Sequence, residues 1–474
     1  MNSIPHTDVS AARPTAQQIA GRLQRYDRPG PRYTSYPTAV EFTGAFDEHA
    51  YRERLNAAAQ TPAEPLSLYV HLPFCEARCT YCGCMTIITQ KRDVAARYLE
   101  YLERELEMLA TALKGRRTVV QHHWGGGTPT YLTVAQIERL HHAVTRHFDI
   151  SRNAEQAIEI DPRVTTRDQL QTLRALGFTR LSMGVQDFTP DVQAAIGRRQ
   201  SAALTRDLYD YARSIGFDAI NMDLIYGLPL QTASSFTCTL STVAAMRPDR
   251  IAVYSYAHVP WLRPHQSRIK ADDLPSRDLK FELISAALDT FGRVGYQAIG
   301  MDHFALPDDE LAIAMRERRL HRNFMGYTTR PAADMVAVGL SAIGDVRGAF
   351  AQNVKKLPAY YAALDAGHFP IDRGYALSAD DCIRQFVIRE LMCNFFVDVQ
   401  EVESRFAIDF KRYFAPEIDA MNAPDGAIAD EFVAMTPDSL EVLPEGRLFV
   451  RSICMYFDRY LRRHTDKPVF SRAI

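Results

Sequence analysis

The chain has 474 residues, 55 Lys and Arg against 57 Asp and Glu, 47% hydrophobic residues and eight cysteines. A net charge of −2 gives no electrostatic reason to expect a nucleic acid or an anionic membrane surface as partner. The apolar and charged fractions exclude disorder throughout.

No apolar run approaches the ~18 residues that a membrane helix needs, and the first residues lack an apolar signal core. The expected location is the cytoplasm, where thiols stay reduced, so the cysteines are read by spacing and not as disulfides.

Residues 1 to about 20 form a loose polar start. Residues 26–39, YDRPGPRYTSYPTA, carry Pro and Tyr without a helical or strand period, which predicts an ordered arm or loop. SLYVHL (67–72) reads as a buried strand. A long helix follows within 93–113, with Leu99, Leu102, Leu106 and Leu109 on one face and Glu100–Arg104 as an i,i+4 pair. TVVQHHW (118–124) is the next strand and runs into three glycines. Thr133 with Gln136 makes a capping box for a helix to about 147.

The alternation continues through strands at 156–160, 180–185, 218–225, 250–256 and 296–301. Helices fall near 167–176, up to 215, at 233–245 and at 277–293. Six or seven such repeats predict a parallel sheet. Polar signals after several different strands favour a full or partial β/α (TIM-like) barrel. The pattern changes after about 375 to short helices with a small sheet. The expected division is an N-terminal arm over 1–50, the barrel over 51–370 and a mainly helical C-terminal domain over 371–474.

The densest chemical signal is HLPFCEARCTYCGC (71–84). Cys75, Cys79 and Cys82 have the spacing C-x3-C-x2-C, and Cys84 adds C-x-C. Three thiolates on one loop can hold three irons of a four-iron cluster and leave the fourth iron open to a small molecule. Zinc held by Cys75, Cys79, Cys82 and either Cys84 or His71 is an open alternative. Cys238, Cys382, Cys393 and Cys454 are scattered and are expected as small buried hydrophobes. Gly125-Gly126-Gly127-Thr128 is either a tight turn or a loop that a ligand approaches closely. Glu159 and Asp161 beside Arg163 are either a solvated turn or ligand-binding acids. Gln186, Arg198 and Asp223 gain weight from following successive strands.

C-x3-C-x-Tyr-C after a first strand resembles the radical S-adenosylmethionine (SAM) enzymes. Further motifs sharpen this: the C-x-C extension, the arm Arg32-Tyr33-Thr34-Ser35-Tyr36-Pro37-Thr38, the stretch His123–Thr130, Ser182–Asp187, Asp223–Pro229 and Met301–Phe304. Together they resemble the oxygen-independent coproporphyrinogen III oxidase family, from about residue 25 to the C-terminus. The resemblance implies a [4Fe-4S] cluster on Cys75, Cys79 and Cys82, with Cys84 not a ligand. It implies two SAM molecules contacted by Tyr69, Tyr81, Gly126, Gly127, Thr128, Glu159, Gln186, Arg198, Asp223, Ala257 and Ile343. The tyrosine at 81 departs mildly from the phenylalanine of some members.

The reaction so implied is oxidative decarboxylation of two propionates of coproporphyrinogen III to vinyl groups, giving protoporphyrinogen IX, through a 5′-deoxyadenosyl radical. An electron donor such as flavodoxin or ferredoxin and a monomeric chain are expected. A tetracarboxylate substrate calls for arginines. The candidates are Arg32 and Arg322, with Tyr33 and Tyr36 flanking the macrocycle and His303 nearby. Two rival readings remain. One is a haem-delivery paralogue using His303 or His321, although that group is shorter and lacks the arm and the C-x-C cysteine. The other is a zinc-stabilised interaction domain.

Overall fold

A computed structural model describes residues 25–463 and 470–472; the expected loose start lies outside these. Six strands run parallel and pair in sequence order: β1 Leu66–Leu72, β2 Thr118–Gly126, β3 Asp149–Ile160, β4 Arg180–Gln186, β5 Ala219–Tyr226 and β6 Arg250–Ser255. Helices fill the crossovers: α1 Glu48–Ala58 precedes β1, and α2 Arg92–Ala112, α3 Val134–His147, α4 Arg167–Ala175, α5 Pro190–Ala195, α6 Ala202–Ser214, α7 Ala233–Met246 and α8 Arg277–Arg293 follow. β1 is buried at nearly every position, as a strand covered on both faces must be. On α2, Leu99, Leu102, Leu106 and Leu109 are all buried. Arg104 turns from Glu100 to Asp365, at 2.8 Å. Thr133 and Gln136 close the expected capping box of α3.

The sheet extends beyond these strands. β7 Gln297–Ile299 and β8 His303–Ala305 add antiparallel beside β6, while β9 Asp334–Val338 pairs parallel to β1 on its other side. β10 Ile343–Asp345, β11 Ala349–Asn353 and β12 Ile371–Ala376 follow antiparallel. The order is β12-β11-β10-β9-β1-β2-β3-β4-β5-β6-β8-β7. Among the described residues the edges β12 and β7 do not pair, so the hydrogen-bonded order is open, as in a partial barrel. Two expectations change. The strand expected over 296–301 is β7, which does not pair parallel with β6 as a seventh repeat but pairs antiparallel with β8 at the sheet edge. β3 begins at Asp149 and not near 156, because Asp149 and Ile150 find partners in Thr118 and Val119. Beyond β12, helix α9 Ala379–Asn394 leads into short helices and a three-stranded sheet of Phe396–Asp398, Ser439–Val442 and Val433–Met435.

The arm is ordered by contacts to the far end of the chain. Tyr26, Tyr33 and Tyr36 are buried. The Tyr33 hydroxyl donates to Asp458 at 3.0 Å, the Arg451 Nε donates to the Pro31 carbonyl at 3.1 Å, and Gln385 donates to the Tyr36 carbonyl at 3.1 Å. Cys393 and Cys454 are buried as expected, but Cys238 is exposed on α7 and Cys382 is half-buried. Among the described residues no helix is long and apolar enough to cross a membrane.

Candidate active site

The C-terminal ends of β1 to β6 meet at a cavity of about 1110 Å³, the end of a β/α barrel where loops carry chemistry. The cysteine loop forms one wall. Its base is closed by the short parallel pair Phe74–Cys75 with Ile87–Ile88. Its crest is held by the segment after β6: His265 Nε2 meets the Cys82 carbonyl at 2.7 Å, Gln266 donates to the carbonyls of Tyr81 at 2.8 Å and Ala257 at 3.2 Å, and Arg263 donates to the Gly83 carbonyl at 2.8 Å.

Cys75, Cys79 and Cys82 all face the cavity. Two guanidinium groups reach the Cys79 sulfur, Arg163 at 3.7 Å and Arg198 at 3.9 Å. A hydrogen bond from Cys84 is the main cause that holds the Cys82 thiol down to about 6, with burial opposing. Burial pushes Cys75 up to about 11. Cationic neighbours and donated hydrogen bonds favour the thiolates that a metal requires. Among the described residues no three His, Cys, Asp or Glu side chains converge on a single metal ion. His71 is engaged elsewhere: its ring nitrogens meet the Tyr69 hydroxyl at 3.0 Å and the Met85 carbonyl at 3.4 Å, and burial lowers it to about 4.

The glycine turn forms the next wall. The Gly127 and Thr128 N–H groups donate to the carbonyls of Leu72 and Phe74, each at 2.8 Å, which ties this turn to the root of the cysteine loop. A Cβ on Gly127 would lie 2.7 Å from the Phe74 carbonyl oxygen, and one on Gly126, at φ 117°, would lie 2.7 Å from the His71 ring. The glycines are therefore demanded first by close backbone packing. Glu159 accepts the Gly126 N–H at 3.1 Å and meets His123 Nε2 at 3.4 Å. Burial raises this carboxyl, but those partners outweigh burial and hold it below its ordinary value.

Further along the strand ends, Asp161 neutralises both Arg163, at 2.6 Å, and Arg198, at 2.9 Å. The Arg198 Nε is buried without a partner, an orphan donor at the wall that a ligand oxygen would satisfy. Gln186 sits at φ 68°. Its amide lies across Gly184, where a Cβ would come within 2.8 Å of Nε2. Asp223 accepts from Ser182 at 2.9 Å and Asn221 at 2.8 Å; burial nonetheless pushes it up to about 6. Tyr81 and Ala257 also line the cavity, and Tyr69 lines an adjoining pocket of about 370 Å³.

Some sequence candidates stand elsewhere. Arg32 lines the cavity, but it is ion-paired with the buried Asp302 and lies 5.3 Å over the Tyr254 ring. Tyr33, Tyr36 and Arg322 lie off the cavity wall, around a small separate hollow. Arg322 donates to the Arg32 carbonyl at 2.8 Å, so its role in the structure is to hold the arm. His303 is turned to Asp302 at 2.7 Å, and neither it nor Ile343 lines the two cavities. Conversely, Arg263, Lys355 and Arg373 line both and were not anticipated. They come from separate loops and strands, with no shared motif to reveal them.

The oxygen-independent coproporphyrinogen III oxidase of Escherichia coli (strain K12) is 47% identical over 452 residues, covering 95% of this chain and 97% of the relative. The chain belongs to the oxygen-independent coproporphyrinogen III oxidase family. The family member from Synechocystis sp. (strain ATCC 27184 / PCC 6803 / Kazusa) is 44% identical, covering 97% of this chain and 99% of its own. Residues 69–241 match the Radical SAM superfamily model. A solved family structure, coproporphyrinogen III oxidase (HemN) from Escherichia coli, described as a radical SAM enzyme, superposes with a TM-score of 0.87. It is 46% identical and covers 91% of this chain and 98% of that one. Membership implies SAM and a [4Fe-4S] cluster. The three cavity-facing thiols, the guanidinium groups at Cys79 and the orphan donor of Arg198 fit both.

Proposed function

We propose that this chain converts coproporphyrinogen III to protoporphyrinogen IX without oxygen. Each of two propionates becomes a vinyl group with loss of CO2, one hydrogen atom and one electron. A [4Fe-4S] cluster and SAM supply one-electron reduction and hydrogen abstraction when bound; the protein supplies position and exclusion of water. The observation that carries the reading is the convergence on one cavity of Cys75, Cys79, Cys82, the Gly126–Thr128 turn and the strand-end groups Glu159, Gln186, Arg198 and Asp223.

In this reading the three cysteines hold the cluster, with Cys84 donating to Cys82. Tyr69, Tyr81, Gly126, Gly127, Thr128, Glu159, Gln186, Arg198, Asp223, Ala257 and Ile343 serve two SAM molecules, the first ten from the walls of the cavity and its side pocket. The mouth suits a macrocycle: Val40 and Leu262 are exposed apolar side chains at 39% and 54%, among cavity-lining cations. A cytoplasmic location and reduction by a flavodoxin or ferredoxin complete the proposal.

The test is anaerobic incubation of reconstituted protein with coproporphyrinogen III, SAM and a reductant, followed by chromatography of the products. Protoporphyrinogen IX with a monovinyl tricarboxylate intermediate is expected. Unchanged substrate together with tight haem binding would establish the haem-delivery alternative instead.

A further inference from the structure

Four cations at the main cavity, Arg78, Arg263, Lys355 and Arg373, make no ion pair among the described residues, and the last three also border the side pocket. Arg163 and Arg198 are balanced by Asp161, and Arg32 by Asp302. Arg263, Lys355 and Arg373 make no ion pair with a carboxylate among the described residues. Yet all three sit on the border shared by the main cavity and its 370 Å³ side pocket. They arrive from distant parts of the chain: Arg263 from the segment after β6, Lys355 from the turn after β11, and Arg373 from β12.

Two are aimed by their own hydrogen bonds. Arg263 donates Nε to the Gly83 carbonyl at 2.8 Å, and Arg373 donates Nε to Gln352 Oε1 at 2.8 Å. Each keeps its terminal nitrogens for a planar, two-oxygen acceptor. Their charges are close enough to matter. Burial and then Arg373 lower the Lys355 ammonium, and Arg263 adds to this against the opposing pull of Asp372. Like charges gathered with no carboxylate in ion-pair contact are destabilising unless an anion joins them, and the acid on this border, Glu159, is engaged by His123 and the Gly126 N–H.

We propose that Arg263, Lys355 and Arg373 form a carboxylate clamp that grips propionate groups of the substrate; the assignment rests on the coproporphyrinogen reading above. The substrate carries four propionates and the product keeps two. A clamp on the retained pair holds the macrocycle through both decarboxylations. Because Arg263 also binds the backbone between Cys82 and Cys84, the clamp is tied to the cysteine loop and sets the macrocycle's distance from it.

The competing anion is the single carboxylate of SAM, and the experiment separates the two. The full chain is titrated with coproporphyrin III, the stable oxidised macrocycle with the same four propionates, and with its tetramethyl ester, by quenching of protein fluorescence. Lys355→Gln and Arg373→Gln should each weaken coproporphyrin III by roughly tenfold or more. The triple variant with Arg263→Gln should weaken it further. In Lys355→Gln and Arg373→Gln the ester and SAM affinities should stay at wild-type values, and Arg373→Lys should recover part of the loss. KM for coproporphyrinogen III should rise more than kcat falls. A triple variant that binds coproporphyrin III like wild type overturns the clamp alone, as does a loss confined to SAM. A wild-type chain that binds no coproporphyrin III overturns both the clamp and the function on which it rests.

Discussion

Cys84 stands two residues past Cys82 and is easily taken for a fourth ligand. Its backbone N–H instead donates to the Cys82 sulfur at 3.4 Å, the posture of a neighbour that supports a thiolate. Anaerobic reconstitution of Cys79→Ala should leave the protein without its iron and sulfide, whereas Cys84→Ala should keep both. Full iron in the first variant would sink the three-cysteine site. A second residue titrates where cells live. Burial pushes Asp345 up to about 7 from an ordinary 3.8, Asp334 adds to this, and Arg389 opposes it. A carboxyl whose folded pKa is raised contributes stability below about pH 4, and that contribution is lost as pH rises through 7. Asp345→Asn should therefore match wild type in thermal melts near pH 4 and exceed it by on the order of a few degrees at pH 8. A constant difference across that range would rule out titration as the cause.

The glycine turn and the cysteine loop behave as one element, because each closes on the other's backbone. A methyl group at Gly127 meets carbonyl and backbone carbon atoms of Phe74 and Pro73 at 2.7 Å, and backbone cannot rotate away as a side chain can. Gly127→Ala should cost about 1–3 kcal/mol by overpacking and lower the iron retained after reconstitution, although no ligand atom is touched; unchanged iron content and melting temperature would refute the coupling. Much of this was readable in advance. The runs at 67–72 and 218–225 are rich enough in apolar residues to read as strands, and the cysteine spacing stands out against composition. The first half of β3, DISRNAE, has no apolar period and is strand only because β2 pairs with it. Arg263, Lys355 and Arg373 could not be found from sequence, since β12 brings Arg373 to the site through pairings that no local pattern encodes. Tyr33 and Tyr36, expected to flank the macrocycle, are tied by the Tyr33 hydroxyl to Asp458 and by the Tyr36 carbonyl to Gln385, partners that no local pattern encodes.

The barrel end opposite the site is closed by a fully buried ion pair. Arg116 donates to Asp334 at the start of β9 and to the carbonyls of Glu64 at 2.8 Å, Pro65 at 3.1 Å and Ala58 at 3.2 Å; both charged side chains are inaccessible. Asp334 also meets Arg347 at 3.3 Å, so Asp334→Leu takes the central carboxylate from buried Arg116 and from Arg347 and should cost about 3–5 kcal/mol. The double variant Arg116→Met/Asp334→Leu should be less destabilised than Asp334→Leu in denaturant melts; a double variant worse than that single would show that the charges are net stabilising. The arm has a consequence for biosynthesis. Its carbonyls are held by Arg451 and its Tyr33 by Asp458, so residues of the arm wait for partners made 420 and 425 residues later. At roughly 5–20 residues per second of synthesis, the arm stays undocked for some tens of seconds. Arg32, which lines the cavity, waits on Asp302 and Arg322 for its own contacts and on Arg451 and Asp458 for those of its neighbours Pro31 and Tyr33. A nascent chain can fold its central sheet before the arm docks, so the cavity wall is completed only once the segment over 451–458 has been made.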